Sequence, residues 1–558
     1  MELNEGLCYD SPVARIALFL ISFLAGVFSR SFFNIPSEWV YLGIGLTGGI
    51  LLFSFILERA KSQPSISPGN LTNCPQLSEC EARLPAGRQV GAPRAGEGGL
   101  RPSETEVAGN EFSGKFFLKK MSLVVFLFFL GILRFDLYEN NIQDDFLHLH
   151  YGEEMVLDGA VLKSIPKPNS EQLIVETGLG KLRVVKAVYP QYKYGDTLKI
   201  SGKIEEPEVF GAIDNKKLLA KDLVYSEMIF PEIEKKENLA SENSTARFSS
   251  LKIKFFSFLF MVKDGFEKKL RLILPEPHAS LADGMLLGNQ GFLEKGLVDN
   301  FRKSGTIHIL VLSGYNITIV GIFTMALFGM IFPESVAWLL AVAAISAFTL
   351  MSGAEAAAVR SALMAVIGLL AFRAGRKNTA LLALMWAAMF MVLWNPLLMR
   401  FDRGFQLSFL ATLGLIIASS FFQKIFSFIP KTLGLRENAA ASFAAQIFVL
   451  PLLLSWGGEI SWLSPLANIL IASVVPLVML FGFLGGIFSF FSLGLGKIIA
   501  GAAYILIAYQ IYLVNFFGGL SFSMIKFGFL PISLLLFIYA ALFYWSWIRF
   551  RSSNRLQT

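Results

Sequence analysis

The sequence predicts a polytopic α-helical membrane protein with an inserted small β-barrel (OB-like) extracytoplasmic domain. Three observations lead to that class. Of 558 residues, 54% are hydrophobic and only 16% charged, with mean hydropathy +0.56, whereas soluble globular chains carry about 25% charged residues. Apolar runs long enough to cross about 30 Å of hydrocarbon recur towards both ends of the chain. Between them the pattern changes to short β-branched runs divided by turn residues. The 53 phenylalanines suit lipid-facing helices. A disulfide scaffold is excluded, because Cys8, Cys74 and Cys80 are sparse and lack a CxxC or a nearby histidine, so they are read as free thiols.

The first two elements are transmembrane helices within residues 1–58, from the runs 13–33 and 39–57, and a third spans 116–136. No small-residue cleavage site of the A-x-A kind follows the first run, which reads as an uncleaved helix and not a signal peptide. Residues 59–115 are rich in Gly, Pro, Arg and Glu without an apolar period. Such a stretch buries too little surface to fold and is expected to be a disordered, low-complexity cytoplasmic linker.

Residues 150–232 form the extracytoplasmic domain. MVLDGAVL (155–162), QLIVETGLGKLRVVKAV (172–188) and DTLKISGKIEE (196–206) read as strands, with a hairpin tip at Thr177–Gly180. About five short strands in this length suit an OB-like barrel; a β-domain that merely packs on the membrane is the alternative. Residues 250–275 follow as an amphipathic helix. Phe255, Leu259, Val262, Phe266, Leu270 and Ile273 recur every three or four positions, and Lys263, Asp264, Glu267, Lys268 and Arg271 fill the other face. An interfacial helix is expected, with a packing helix of a soluble domain as the competing reading.

From 278 to 550 the chain reads as one transmembrane domain, with nine apolar segments at 306–332, 335–352, 356–373, 379–399, 404–428, 438–456, 463–489, 493–518 and 528–550. With both termini cytoplasmic, the inner loops, linker and tail hold Arg59, Lys61, Lys119, Lys120, Arg373, Arg376, Lys377, Lys424, Lys431, Arg436, Arg549, Arg551 and Arg555. The outer loops then hold only Arg400, Arg403 and Lys526. That asymmetry follows the positive-inside rule and accounts for much of the net charge of +7.

Polar groups inside a bilayer mark sites because each costs several kcal/mol unless it faces protein or water. His308, Ser313, Gly314, Asn316, Arg360, Arg403, Gln406, Gln446 and Asn468 are the candidates. GTIHILVLSGYNITIV (305–320) interrupts a helix at Ser313-Gly314, and half-helix ends inside a bundle expose backbone groups that hold charged cargo; a Gly-kinked packing helix is the bland reading. Arg360 lies near its segment's start, where it either snorkels to the interface or pairs with Glu355. Gln446 and Asn468 either line a path or join helices. His308 and Ser313, five residues apart and lacking a third group, do not make a hydrolase pair. His148 and His150 lack further ligands for a metal centre, and no GxxxxGK[ST] motor motif occurs. Neither a metal nor a cofactor is expected.

Four blocks in order resemble the ComEC competence-protein family: LADGMLLGNQGFLEKGLVDNFRKSGTIHILVLSGYNITIV (281–320), SGAEAAAVRSALM (352–364), RFDRGFQLSFLATLGLI (400–416) and AAQIFVLPLLLSWGGEISWLSPLANIL (444–470). Two features depart from it. Tyr315-Asn316 stand where Leu-His often follows Ser-Gly, and the 59–115 insertion is foreign to the pattern. The resemblance implies a non-enzymatic channel in the bacterial cytoplasmic membrane that conducts single-stranded DNA inward during natural transformation. It further implies a cytoplasmic ATPase or helicase, an extracytoplasmic DNA receptor and a separate nuclease as partners, since no HxHxDH cluster of the metallo-β-lactamase-like domain occurs. A transporter of another polyanion or lipid-linked precursor, or a non-transporting membrane scaffold, are the rival expectations.

Overall fold

The computed structural model describes residues 12–33, 35–61, 104–140, 146–166, 170–207, 209–210, 213–214, 219–236, 250–289, 293–310, 314–375, 379–430, 434–456, 459–520, 524–526, 531, 533–535, 537–542 and 544–545. Cys8, Cys74, Cys80 and Ser313 lie outside them, as does the middle of the expected linker.

The N-terminal apolar runs form α1 (Pro12–Phe32), α2 (Ser37–Lys61) and α3 (Glu104–Asn140). The linker expected at 59–115 is helical at both described ends, because α2 runs on to Lys61 and α3 begins at Glu104, ahead of the expected start at 116. α1 and α3 meet through reciprocal glycines. A Cβ on Gly26 would stand 1.9 Å from the carbonyl oxygen of Phe128, and one on Gly131 would stand 2.2 Å from that of Phe23. Small residues allow this close backbone approach, which replaces the hydrophobic drive that lipid cannot supply.

The β-domain comprises β1 (Glu154–Pro166), β2 (Glu171–Thr177), β3 (Gly180–Lys186), β4 (Thr197–Lys203), β5 (Val209–Phe210), β6 (Ile213–Asp214), β7 (Val224–Ile229) and β8 (Glu232–Lys235). Six strands form one sheet in the order β7-β3-β2-β1-β4-β8, with β3 and β7 parallel and the other pairs antiparallel. Strand β1 pairs with β4 over Glu154–Ala160 and with β2 over Gly159–Pro166, with a register irregularity between Val161 and Lys163. Its inward side chains, among them Leu157, Val161, Leu173, Leu182, Leu198, Ile200 and Met228, form a separate core. The expected barrel is not closed. Among the described residues, one isolated bridge, Glu205 with Glu227, joins β7 to the chain just past β4, so the sheet is open.

The remainder is helical: α4 (Ser250–Ile273), α5 (His278–Leu287), α6 (Lys295–Lys303), α7 (Gly314–Ile331), α8 (Glu334–Met351), α9 (Ala356–Arg373), α10 (Ala380–Trp394), α11 (Leu398–Phe401), α12 (Arg403–Ile425), α13 (Leu435–Ser455), α14 (Ser464–Ala472), α15 (Val475–Phe491) and α16 (Leu493–Gly519). Among the described residues, six stretches are long and apolar enough to cross a membrane: Met121–Glu139, Glu334–Met351, Ala356–Arg373, Arg403–Phe428, Leu435–Ser455 and Leu493–Gly519. The pair α14 and α15 adds a seventh if taken as one span bent by about 40°. The protein is a polytopic helical membrane protein.

Several expected segments are modified. The run 306–332 is broken: a 3₁₀ turn at Ile307–Ile309 precedes α7, which starts only at Gly314. The run 379–399 divides into α10 and the short α11. Part of 528–550 lies outside the described residues; Ser533–Leu542 carries a shorter apolar helix.

Two strands fix the relation between helix ends. β9 (Glu459–Ser461), after α13, pairs antiparallel with β10 (Met524–Lys526), after α16. The C-terminal ends of α13 and α16 therefore share one face, which requires an even number of crossings between them. The bent pair and α16 provide two.

The amphipathic helix expected at 250–275 is α4. Phe255, Phe258, Met261, Val262 and Leu272 are exposed, whereas Glu267 and Arg271 turn towards α5. Leu270 and Ile273 join the central core with Leu281, Met285, Phe301, Ile471, Val478 and Ile507. The helix thus buries one apolar stripe in the core and leaves another exposed, while Glu267 and Arg271 face α5, the arrangement that suits apolar surroundings outside.

Candidate functional site

The broken segment before α7 organises most of the candidate residues. Gly305 takes a positive φ of 73° and packs so closely on α14 that a Cβ there would lie 2.4 Å from the Cβ of Ser464. Gly314, at the start of α7, is equally close to α9, its Cβ position lying 2.5 Å from Ser361 Oγ and 3.0 Å from Arg360 Nη2. Gly305 thus meets α14 and Gly314 meets α9, at spacings where a Cβ would crowd Ser464 and the side chains of Ser361 and Arg360.

Arg360 does not snorkel. It is 7% exposed and points from α9 to α12, where Nη1 donates to Thr412 Oγ1. Nη2 donates to Ser361 Oγ at 3.0 Å, and the guanidinium lies 6.0 Å from the Phe409 ring centre. Its Nε has no hydrogen-bond partner among the described residues. The expected pairing with Glu355 is replaced by these hydroxyl partners. Hydroxyls leave the full positive charge uncompensated inside the bundle, a costly arrangement whose remedy is an anion. Asn316, one turn into α7, is 3% exposed and donates from Nδ2 to the carbonyl of Met285 at 2.8 Å, fixing α7 to α5.

A second group lies across the broken segment. Gln446 Nε2 and Asn468 Nδ2 both donate to Ser464 Oγ, at 3.0 and 3.2 Å, and Ser464 Oγ donates to the carbonyl of Gly305 at 3.2 Å. This favours the joining role for both side chains, yet Asn468 Oδ1 is buried and unpartnered among the described residues. Gln446 also lines a cleft of about 220 Å³ with Leu450, Ile460, Ser461, Trp462 and Ile525. His308 is exposed on the 3₁₀ turn between the two groups.

Arg403 and Gln406 do not join them. Gln406 Nε2 donates to the carbonyls of Met399 and Arg400 at 2.9 and 3.0 Å, closing the α11–α12 corner. Arg403 is exposed and lies 5.0 Å from the Trp456 ring centre. Both stand at the face that meets the β-domain. There Lys221 Nζ donates to Asp402 Oδ2 at 2.7 Å, and Asn395 Nδ2 donates to the carbonyl of Lys221 at 2.7 Å. Arg134, near the end of α3, donates to the carbonyls of Leu393 and Trp394. The β-domain, the end of α3 and the 393–403 corner therefore share one face of the bundle.

Sequence reasoning missed two arrangements. One is the Lys221–Asp402 contact, whose partners lie 181 residues apart and leave no local signal. The other is a buried charge cluster of Glu267 and Arg271 on α4 with Asp283 on α5. Its signal was present in the i, i+4 spacing of Lys263, Glu267 and Arg271, which were read only as the face opposite the apolar stripe. Of the His148-x-His150 pair, His150 Nδ1 lies 2.8 Å from Glu153 Oε2, the His148 side chain falls outside the described residues, and among the described residues no group of three or more His, Cys, Asp and Glu could hold a metal ion.

Residues 285–552 match a family described as "Competence protein". The chain is similar to ComE operon protein 3 of Bacillus subtilis (strain 168), at 25% identity over 388 residues that cover 65% of this chain and 46% of the relative. The chain thus matches about half the length of that relative. No solved structure matches it.

Proposed function

From its membership in the ComEC family of competence proteins, we propose that this chain is a channel of the bacterial cytoplasmic membrane that conducts single-stranded DNA inward during DNA uptake. The observation that carries the proposal is Arg360, a buried guanidinium that donates to the hydroxyls of Thr412 and Ser361 and to the Met364 sulfur, with no carboxylate partner among the described residues, beside the start of α7. A strand in transit needs its phosphates screened and its bases left unread. A guanidinium beside the glycine that opens α7 offers charge without base specificity.

In this reading the β-domain, an OB-like sheet short of full closure, lies outside and delivers the strand to the 393–403 corner, with both termini inside. The chain itself breaks no covalent bond. A cytoplasmic ATPase or helicase supplies the driving force, an extracytoplasmic receptor presents DNA, and a separate nuclease removes the other strand. Uptake of labelled DNA into cells with and without the gene tests the proposal. Loss of uptake on deletion, restored by the intact gene but not by Arg360→Ala inserted at normal levels, is expected. Unchanged uptake on deletion would sink it and favour a carrier of another polyanion or a scaffold.

A further inference from the structure

Helix α5 is buried along nearly its whole length, Ala279–Leu287, with Asp283 among the apolar side chains. The Asp283 side chain is 1% exposed, and neither carboxylate oxygen has a hydrogen-bond partner among the described residues. The nearest cation is Arg271, whose Nη2 lies 4.0 Å from Asp283 Oδ2. Arg271 is already engaged. Its Nη2 stands 2.9 Å from Glu267 Oε1 and its Nη1 stands 3.6 Å from Glu276 Oε1. Two carboxylates hold the guanidinium and the third is left just outside hydrogen-bond reach.

The surroundings complete the inventory of charges. Helix α4 turns Lys263, Glu267 and Arg271 towards Asp283, and Glu276 precedes α5. Asn289, just past α5, donates from Nδ2 to Glu267 Oε2 at 3.2 Å. Helix α15 carries no titratable residue, and α7 none among its described side chains. Helix α16 carries Lys497, Tyr504, Tyr509 and Tyr512, of which Tyr504 stacks 4.3 Å from His278 of α5.

An ionised carboxylate buried without a direct partner costs several kcal/mol, and taking up a proton removes that cost. We propose that Asp283 is a proton-binding site of the membrane domain, at which Arg271 exchanges between Glu267 and Asp283 as the proton leaves and returns. On release, the O–H bond of the Asp283 carboxyl breaks and the proton passes to water at Glu276, whose side chain is half-exposed. Arg271 then closes on the new carboxylate, and uptake reverses both movements. Burial first, then the charge of Glu267, push the Asp283 carboxyl up to about 8, against the opposing pull of Lys263 and Arg271. Helix α5 is not one of the six spanning stretches. Two residues further on, Met285 holds Asn316, so the switch lies next to the entry of α7. The site stands independently of what the bundle carries.

Infrared titration of the full chain in lipid nanodiscs tests this through the stretching band of a protonated carboxyl. The wild type should show a band that bleaches with a midpoint near pH 8, lost in Asp283→Asn and kept in Asp283→Glu. Glu267→Gln removes a like charge and should lower the midpoint by about one pH unit. A band that survives Asp283→Asn overturns the proposal, as does a midpoint unmoved by Glu267→Gln. A midpoint that follows sodium concentration at constant ionic strength does so too, since the site would then take a monovalent cation. Where Asp283→Asn fails to fold, the Glu267→Gln shift decides.

Discussion

Lys221 of the β-domain and Asp402 of the membrane bundle form an ion pair at 2.7 Å, in which the aspartate serves two partners at once. Its Oδ2 accepts from Lys221, while its Oδ1 accepts the Phe405 N–H at 2.7 Å and caps α12. Helix α12 carries Thr412, the partner of Arg360. One carboxylate therefore connects the β-domain, the start of a spanning helix and the buried guanidinium two turns further along it.

Lys221→Met is expected to loosen the β-domain from the bundle, at a cost of about 2 kcal/mol for a charge-assisted hydrogen bond. Asp402→Ala removes the cap as well, worth a further ~1 kcal/mol. Protease sensitivity between the β-domain and α9–α12 should rise in that order, and equal sensitivity in both variants would contradict the dual role.

The same pair gives a pH dependence. Burial alone would lower the Lys221 pKa, but the adjacent Asp402 outweighs it and the net position lies above the ordinary 10.5. The folded protein thus binds this proton more tightly than the unfolded chain does. Its contribution is full below about pH 10.5 and is lost as pH rises through the raised folded-state value. Docking of the β-domain, followed by cross-linking of paired cysteines, should weaken only in that alkaline window and stay level there in Lys221→Met.

Arg360→Lys retains the charge but not the fork that reaches Thr412 and Ser361 together. Uptake of labelled DNA should fall about tenfold, the equivalent of 1.4 kcal/mol, with unchanged insertion. Thr412→Val should give a smaller loss, because Ser361 remains. Wild-type uptake in Arg360→Lys would show that charge alone suffices.

Gly314→Val places a side chain where Ser361 Oγ and Arg360 Nη2 already stand. Forced separation of α7 from α9 costs about 1–3 kcal/mol and should abolish uptake. Gly329→Val, on the same helix with nothing within 4 Å of its Cβ position, is the control and should leave uptake near wild type.

Gly26→Val or Gly131→Val should separate α1 from α3 and lower the yield of folded protein in detergent. Gly49→Val, whose Cβ position is open, should not. A yield independent of position would remove the close helix approach as the reason for these glycines.

Much of this organisation was legible in the sequence. The apolar runs found α8, α9, α12, α13 and α16 within a few residues, because helix formation in lipid depends on composition along one segment. The turn-divided β-branched runs found the sheet, and Thr177–Gly180 is its β2–β3 hairpin. Closure was not legible, since it depends on the geometry of the β7 edge against the end of β4, where Glu205 bridges Glu227. Arg360, Asn316, Gln446 and Asn468 stand out in the sequence as polar residues of apolar segments, but their partners do not. Gln406 was found for the same reason and turned out to hold a corner.

By itself, the sequence determined the membrane class, the order of the helices, the inserted β-domain and the motif blocks, all properties of residues near one another in the chain. Only the tertiary structure decided which way the polar groups face. It turned Arg360 inward to Thr412, set α4 with its charges towards Asp283, and joined Lys221 to Asp402. A buried polar group is worth what its partners make it, and these partners come from helices and strands that the local pattern cannot bring together.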